Sequence, residues 1–445
     1  MRLVEGLERA GLRLEFLADG QDVPEQVTRG LNPGAVRLLS RGAEGDVAVA
    51  LPPQNAGEAR EVGAALVRLA SDLGAGSVRV AETPFAEPLA LAALSEGYRD
   101  ARYRAEARPG PAEFALSSLT EDAHTRVEAL AAGVRFARDL VNAPANLLNP
   151  VTLAREARSL EALGADVDVW DGPDIEARGM GLLAAVAAGS ATGPRLIRVT
   201  LPARGGVTRV VALVGKGVTF DTGGYSIKPA AGMNGMKGDM GGAAAVLGAM
   251  RALAGLRGAL PEGLEVRAYV PAAENMVGPH AMRPGDIFRA ANGKTVEVVN
   301  TDAEGRLILA DALAVAEDEG ATELVDVATL TGVKISALGN DIAALFGTDA
   351  ALTARLKAAA ESAGEFVWEL PLHAPYLKSF QKTPADLRNS DLIPAGGSIK
   401  AALFLREFVT RPWAHLDIAG NALQEDGATG WGVGTLAAYV LGEGV

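Results

Sequence analysis

Four short, mostly apolar runs in the second part of the chain place the strongest constraint on its fold. They lie at residues 210–214, 266–270, 296–299 and 324–328. Helical patterns lie between them, at 241–256 and at 307–319, and Gly320 follows the second as a suitable C-cap. Mostly apolar strands that alternate with helices predict a mostly parallel sheet flanked by helices. Ligands of such sheets bind beyond the carboxyl ends of the strands, where this chain places its polar clusters.

The first part of the chain predicts a smaller α/β domain without a chemical constellation. Residues 47–51 and 77–81 have the pattern of buried strands, and 57–73 that of a helix between them. The proline-containing run 108–120 predicts a linker. A helix is expected next, over 121–141, and the Pro- and Asn-rich segment NAPANLLNP breaks it.

The chain is too long, at 445 residues, for one ordinary hydrophobic core. We therefore expect an N-terminal α/β domain at 1–120, a linker helix and junction at 121–155, and a catalytic domain at 156–445. The fold class expected is α/β, a small domain plus a larger one built on the mostly parallel sheet.

Composition excludes several classes of protein. The chain has no cysteine, which removes disulfides, thiolate metal sites and a cysteine nucleophile. The N-terminus shows no secretory signal, and no apolar stretch is long enough for a membrane span, so a cytoplasmic protein is expected. The net charge of −13 argues against a nucleic-acid partner. Because the four histidines are scattered, any catalytic metal would need mostly oxygen ligands.

Three polar segments carry the candidate chemistry: VGKGVTFDTGGYSIKP at 214–229, MKGDMGG at 236–242 and NTDAEGRL at 300–307. Four carboxylates and three of the basic side chains in these segments are the candidates, namely Asp221, Asp239, Asp302, Glu304, Lys216, Lys228 and Arg306. If the last segment is extended, its residues at i and i+2 share one face. Carboxylates so close repel one another unless cations neutralise them. The set therefore indicates two divalent ions that share a water and clamp a carbonyl.

Other interpretations of these residues remain open. Asp239 could be the N-cap of the following helix, and Asp302 and Glu304 could be solvated loop carboxylates. A carboxylate-rich two-metal phosphoesterase would show a similar cluster. A DNA-binding accessory role would need a basic stripe, which is not evident in the sequence.

The polar segments resemble the signature blocks of the leucine aminopeptidase (cytosol aminopeptidase) family. The resemblance covers about 138–435 and extends through RDLVNAPANLLNP, PAAENM, VATLTG, GGSIKAALFL, WAHLDIAG and GATGWGV, in order and spacing. It implies a macro-like N-terminal domain, a homohexamer, and peptide substrates with a free N-terminus, among which leucine-like residues are preferred.

Individual site residues also follow from the resemblance. It implies that Lys216, Asp221, Asp239 and Glu304 form a tighter metal site, and that Asp221, Asp302 and Glu304 form a more exchangeable one. Lys228 and Arg306 match the catalytic residues that are not ligands. Five further positions match the substrate pocket: Met236, Asn300, Thr329, Leu330 and Gly332.

The family mechanism sets further expectations. A metal-bridging hydroxide would attack the scissile carbonyl with help from Lys228, and bicarbonate held by Arg306 would move the proton. Lys216 would have to be a neutral amine in order to bind a metal. Zn²⁺, Mn²⁺ and Mg²⁺ all suit these ligands.

Three positions depart from the family pattern. Gly238 stands where Ser or Ala is usual, Lys400 where Thr is common, and His280 where a variable residue is expected. None is a proposed ligand. Gly238 could loosen the loop that positions Asp239, which puts metal affinity in question more than the reaction class.

Overall fold

The computed structural model describes residues 1–4, 11–17, 29, 31–42, 45–106, 111–116 and 118–442. These residues form two compact units, Met1–Arg135 and Phe136–Val445. Among the described residues, no helix has both the length and the apolar character that crossing a bilayer requires.

The first unit contains a six-stranded sheet with the strand order β1-β6-β5-β2-β4-β3. Only β3 pairs in the antiparallel direction. Its strands are β1 (Arg2–Val4), β2 (Leu12–Phe16), β3 (Val36–Ser40), β4 (Asp46–Ala50), β5 (Ser77–Val80) and β6 (Glu113–Leu116). The helices are α1 (Ala56–Leu73), α2 (Ala86–Glu96) and the first part of α3 (Glu121–Asn142).

Local sequence signals account for the elements of this unit. Asn55 caps α1 by accepting a hydrogen bond from the amide of Glu58, and Gly74 ends the helix with a φ of 68°. Leu12 and Leu14 of β2 are buried in one core with Leu66 of α1. The strands and helix predicted at 47–51, 77–81 and 57–73 are confirmed within about one residue.

The predicted linker at 108–120 is wrong over part of its length. Residues Glu113–Leu116 form β6, which pairs with β1 and β5. Phe114, Ala115 and Leu116 are buried, so this short apolar run is a core strand. Residues 108–110 and 117 lie outside the described residues.

The second unit contains a nine-stranded mixed sheet with the order β16-β15-β18-β14-β9-β11-β8-β7, and β10 also pairs with β11. The strands are β7 (Asp166–Trp170), β8 (Arg195–Leu201), β9 (Arg209–Gly215), β10 (Gly217–Asp221), β11 (Leu264–Asn275), β14 (Glu323–Ala328), β15 (Ile342–Gly347), β16 (Phe366–Glu369) and β18 (Trp413–Asp417). The four central strands β9, β11, β14 and β18 run parallel to one another. The pairs β8–β11, β7–β8 and β15–β18 are antiparallel.

The helices of this unit follow from α3 onward. They are α4 (Pro150–Arg158), α5 (Gly172–Ala177), α6 (Gly181–Ala187), α7 (Ala230–Met233), α8 (Gly241–Gly255), α9 (Gly305–Asp318), α10 (Gly332–Leu338), α11 (Ala350–Ala363), α12 (Gly397–Arg406) and α13 (Val433–Leu441). Almost every residue of α8 and most residues of α9 are buried, so both helices lie largely inside the core. The predicted α/β architecture with a mostly parallel central sheet is confirmed.

One predicted strand lies outside the large sheet. The run 296–299 contributes to β13 (Thr295–Glu297), which pairs with β12 (Ile287–Arg289) and β17 (Leu387–Arg388) in a separate three-stranded sheet. Val296 is buried while its neighbours are partly exposed, so this strand covers only one face. A second small sheet joins β19 (Leu423–Gln424) and β20 (Gly427–Ala428).

A close approach between α8 and the central strands sets the position of the site. A Cβ atom on Gly242, in the first turn of α8, would lie 2.0 Å from the carbonyl oxygen of Val327 and 2.9 Å from the amide nitrogen of Lys216. Only glycine allows the helix to begin this close to the ends of β9 and β14. The polar turn before α8 therefore lies beside the residue that follows β9.

Candidate metal centre

Five residues expected to be metal ligands surround the carboxyl ends of β9 and β10. Lys216 directly follows β9, and Asp221 is the last residue of β10. Asp239 lies in the turn that precedes α8, while Asp302 and Glu304 lie in the turn that precedes α9. Four of the five side chains are buried, and Asp302 keeps about a third of its side-chain surface exposed.

Lys216 reaches two carboxylates at once. Its Nζ lies 2.7 Å from Oδ1 of Asp239 and 3.0 Å from Oε1 of Glu304. It also donates a hydrogen bond to the carbonyl oxygen of Thr329 at 3.0 Å. Gly305 makes room for this side chain, because a Cβ atom there would lie 2.5 Å from Cε of Lys216. The lysine is thus enclosed by groups that attract positive charge.

Lys228 bridges the other two carboxylates. Its Nζ lies 2.7 Å from Oδ2 of Asp221 and 2.6 Å from Oδ1 of Asp302. The second oxygen of Asp221 accepts a hydrogen bond from Nδ2 of Asn275 at 2.8 Å. Asp221 is thereby fixed from both sides, with one oxygen directed to Lys228.

The site has the donor set and the charge that divalent cations require. Ligand oxygens of Asp221, Asp239 and Glu304 all lie within 4.8 Å of one another. When all four carboxylates are ionised, they exceed the two ammonium groups by two negative charges. Oδ2 of Asp239 lies 2.7 Å from Nζ of Lys216 but has no hydrogen bond of good geometry. These buried oxygens fit a metal centre, because uncompensated buried charge is costly.

Crowding of these groups shifts their protonation equilibria. Burial, with the charge of Glu304, raises the pKa of Asp221 to about 6 although both lysines oppose the shift. Burial also raises the pKa of Asp239 well above its usual range. Burial alone would lower the pKa of Lys216, but the carboxylates of Asp239, Glu304 and Asp221 outweigh it and raise that pKa. The site therefore holds protons that a cation would displace.

Arg306 lies in the first turn of α9, and a backbone carbonyl group orients its side chain. Its Nη1 donates a hydrogen bond to the carbonyl oxygen of Asn389 at 3.0 Å. Its buried Nε has no hydrogen-bond partner among the described residues. Burial lowers the pKa of Arg306 to about 10, so that the guanidinium still carries its charge at neutral pH.

Two of the five residues expected in the substrate pocket, Thr329 and Asn300, form hydrogen bonds with members of the carboxylate cluster. Oγ1 of Thr329 donates to Asp239 at 2.8 Å, and the amide of Leu330 donates to Asp417 at 3.1 Å. Oδ1 of Asn300 accepts from the amide of Asp302 at 2.9 Å. Met236 is half-buried in the turn before Asp239, and a Cβ atom on Gly332 would meet no described atom within 4 Å.

Two local expectations from the sequence are wrong. The segment with Asp302 is not extended: it turns at 301–302, and Glu304 has the helical angles φ −76° and ψ −37°. A turn, and not alternation along a strand, places Glu304 beside Lys216. Asp239 is also not the N-cap of α8, since that position belongs to Met240 and its side chain makes no capping hydrogen bond.

Two of the departures from the family pattern have visible contacts. A Cβ atom on Gly238 would lie 2.8 Å from Cδ2 of Leu423, so glycine lets Leu423 pack against the turn. Lys400 is buried and its Nζ lies 2.6 Å from Oδ2 of Asp391. His280 is exposed in a loop turn.

Sequence reasoning missed several buried polar residues around the centre. Asn275 and Asn389 are almost completely buried and hold the turn at 299–303 from two sides. Oδ2 of Asp417 accepts from Oγ1 of Thr331 at 2.6 Å, which fixes the loop after β14. Each of these residues lies at or directly after the end of a strand. That position is the one feature of the sequence that could have indicated them.

A second buried polar pair lies deeper in the sheet. His415 of β18 and Asp326 of β14 are register partners, with Nδ1 and Oδ1 2.5 Å apart. Oδ2 of Asp326 accepts from Nε1 of Trp413 at 2.7 Å. Burial alone would lower the pKa of His415, but Asp326 raises it above its ordinary value. Each carboxylate oxygen of Asp326 therefore has a hydrogen-bond partner within the core.

Comparison with known proteins agrees with this geometry. The family model described as "Cytosol aminopeptidase family, catalytic domain" matches residues 135–437. A probable cytosol aminopeptidase of Solibacter usitatus is 51% identical over 331 residues, which are 72% of this chain and 68% of that protein. A probable cytosol aminopeptidase of a Synechococcus strain is 44% identical over 402 residues, which are 86% of this chain and 82% of that protein.

Solved structures match nearly the whole chain. The bottromycin maturation enzyme BotP superposes with a TM-score of 0.88 at 36% identity, covering 97% of this chain and 98% of that one. BotP has also been solved in complex with Mn. A mutant of tomato leucine aminopeptidase superposes with a TM-score of 0.87 at 33% identity, covering 99% of this chain and 96% of that one.

Fold and site together define a metal-dependent hydrolase with a carboxylate-rich centre at the ends of parallel strands. The matched residues make the class more specific, a metallo-aminopeptidase with a dinuclear centre. The chain belongs to the cytosol aminopeptidase family.

Proposed function

We propose that this protein removes N-terminal residues from peptides, with preference for leucine-like side chains. Two divalent ions would be held by Lys216, Asp221, Asp239, Asp302 and Glu304. The observation that carries this proposal is the convergence of the buried carboxylates of Asp221, Asp239 and Glu304 on one space. We place the activity in the proposed domain at 156–445.

Asp221 and Glu304 would contribute to both proposed metal sites. Asp221 presents one oxygen toward Lys228 and Asp302, while Glu304 lies beside Lys216. Asp239 and Lys216 would complete the tighter site, and Asp302 the more exchangeable one. The greater exposure of Asp302 supports this division, since a ligand open to solvent exchanges more readily.

When bound, the ions supply a position for the free α-amine, polarise the scissile carbonyl and lower the pKa of a water. Lys228 stabilises the oxyanion that develops on the carbonyl oxygen. Burial alone would lower the pKa of Lys228, but Asp221 and Glu304 raise it. It therefore remains an ammonium group, which donates a hydrogen bond and keeps its proton.

Arg306 holds the anion that moves the proton, and bicarbonate is the anion we propose. The guanidinium is fixed through Nη1 by the carbonyl of Asn389, and its Nε is unpaired among the described residues. A planar guanidinium matches the two oxygens of a carboxylate-like anion.

The substrate side chain would lie near Met236, Asn300, Thr329, Leu330 and Gly332. The open space at Gly332 supports this placement, because a pocket wall without a Cβ atom leaves room for a branched side chain. Zn²⁺ and Mn²⁺ are the cations we propose first, and Mg²⁺ also suits the ligands. The Mn complex of BotP supports manganese.

We also propose a cytoplasmic homohexamer. The edge strand β16 exposes Phe366 and Trp368 by more than 60%, which supports self-association of this unit. Light scattering of the purified chain tests the proposal, and a monomeric mass would contradict it.

Hydrolysis of leucine p-nitroanilide and of its N-acetylated form tests the function. The assay is run with chelator, and again after Mn²⁺ or Zn²⁺ is restored. Cleavage of only the free-amine substrate, lost with chelator and regained with metal, is the expected result. Hydrolysis of a phosphate ester but not of the anilide would instead indicate a two-metal phosphoesterase.

A further inference from the structure

Asn389 lies directly below the turn that carries Asp302 and Glu304. It follows β17, whose Arg388 is paired with Glu297 of β13. Its amide donates a hydrogen bond to the carbonyl oxygen of Glu297 at 2.9 Å, and the residue is fully buried. The pairing of β13 with β17 thus places the side chain of Asn389 next to this turn.

The side chain of Asn389 holds both ends of the turn. Oδ1 accepts from the amides of Val299 at 2.8 Å and Asn300 at 3.2 Å. Nδ2 donates to the carbonyl oxygens of Asn300 at 2.6 Å and, more weakly, Ala303 at 3.4 Å. Its partners therefore lie before and after Asp302, and they end one residue before Glu304.

The main chain of Asn389 makes a separate contact with Arg306. Its carbonyl oxygen accepts the hydrogen bond from Nη1 at 3.0 Å. One buried residue thus contacts both the turn that carries two proposed metal ligands and the arginine proposed to hold the anion.

We infer that Asn389 is a positioning residue, which sets the place of Asp302 and Glu304 relative to Arg306. This inference rests on the proposed function, because the turn matters through the metal ligands that it carries. None of the hydrogen bonds of Asn389 goes to a ligand oxygen, and it contacts Asn300 only through main-chain groups of that residue. It acts through backbone groups, and among the described residues no other single side chain forms hydrogen bonds to both ends of the turn.

Loss of this side chain has a defined effect on its partners. Alanine would leave the buried amides of Val299 and Asn300 without their acceptor. Aspartate would keep an acceptor at Oδ1 but would set an oxygen against the carbonyls of Asn300 and Ala303. Residues that orient metal ligands typically change metal affinity or activity by about 10- to 100-fold when replaced.

The experiment compares the full-length wild type with Asn389→Ala and Asn389→Asp. Binding of Mn²⁺ is titrated through the paramagnetic resonance signal of the free ion, and kcat and KM are measured on leucine p-nitroanilide. The matched control is Asp386→Ala. Asp386 joins the same strands at the opposite end of β17, by accepting from the amide and the hydroxyl of Thr295 at 2.8 Å.

We expect both Asn389 variants to bind the more weakly held of the two Mn²⁺ ions about 10- to 100-fold less tightly than wild type. We expect a similar loss in kcat and little change in KM. Asp386→Ala should match wild type in both readouts. Melting temperatures of the metal-free proteins separate positioning from unfolding, and the isosteric aspartate variant provides a folded protein if the alanine variant does not fold.

Two results would overturn the inference: Asn389 variants with the metal affinity and kcat of wild type, or an equal loss in Asp386→Ala. A wild type that binds no Mn²⁺, or binds it without cleaving the anilide, would instead contradict the proposed function. In the second case the ratio of metal affinities still decides whether Asn389 positions the turn.

Discussion

Lys216 and Asp239 form a buried ion pair in which Nζ lies 2.7 Å from Oδ1, and more than nine-tenths of each side chain is inaccessible to solvent. The ammonium group thus lies among the carboxylates that we propose as metal ligands. A lysine can bind a metal only as the neutral amine, so that a cation entering this site has to displace its proton.

Lys216→Arg should therefore lower metal affinity and abolish turnover. A guanidinium keeps the positive charge that suits Asp239 and Glu304, but it cannot lose its proton to become a ligand. Mn²⁺ titration and anilide hydrolysis measure the two effects. Lys237→Arg is the matched control, since Lys237 lies two residues before Asp239 and donates to the carbonyl of Asn142 at 2.6 Å. An arginine variant at 216 with full activity would exclude an amine ligand.

Asp302→Ala and Glu304→Ala should each reduce kcat by about a thousandfold or more, as loss of a group needed in the transition state does. The two variant proteins should differ in how many metal ions they retain. Glu304 is buried beside Lys216, so its loss affects both sites, whereas Asp302 is the more exposed ligand of one. Metal analysis after dialysis measures the stoichiometry. Asp318→Ala, an exposed change on α9, should keep both metals, and a fully active Asp302 or Glu304 variant would refute the assignment.

Metal affinity should fall steeply as the pH drops below about 6. Burial and the charge of Glu304 raise the pKa of Asp221 to about 6, and a protonated carboxyl is a poor ligand. Above that pH, binding should still release a proton from Lys216, whose pKa the surrounding carboxylates raise. Calorimetry of Mn²⁺ binding in buffers of different ionisation enthalpy counts the released protons. Affinity that is independent of pH between 5 and 8 would contradict these shifts.

Asp311→Asn should destabilise the second unit by about 1–3 kcal/mol, because a buried donor loses its acceptor. The carboxylate of Asp311 accepts from the amides of Leu182, Leu183 and Ala291, each at 2.8–2.9 Å. An asparagine can supply only one acceptor oxygen and turns its NH₂ group toward the remaining amide. Urea unfolding measures the change, and Asp318→Asn on the same helix is the exposed control.

Asp311 also predicts how stability depends on pH. Burial raises the pKa of this carboxyl to about 7 in the folded protein, above its value in the unfolded chain. Between about pH 4 and 7 the folded state binds the extra proton, so this group makes the free energy of unfolding decrease as pH rises. The Asp311→Asn variant should lack this contribution to the pH dependence of the free energy of unfolding. An unchanged slope would place the pKa of Asp311 near its ordinary value.

The sequence by itself determined the reaction class and much of the architecture. Its mostly apolar runs identified β9, β11 and β14, because a short run with at most one charged residue fits a strand buried in a covered sheet. Its polar segments identified the family, since Lys216, Asp221, Asp239, Asp302 and Glu304 lie in short motifs with fixed spacing. Local patterns of this kind need no knowledge of distant contacts.

Only the tertiary structure decided how the site is assembled. The turn at 301–304, which replaced the expected extended segment, depends on Asn275 and Asn389, and Arg306 lies 83 positions from the carbonyl that orients it. The small sheet that contains β13 and β17 depends on a pairing across a similar separation. Buried polar groups need hydrogen-bond partners, and the fold supplies these from residues that are distant in sequence. The spacing of residues along the chain does not indicate which distant residues become partners.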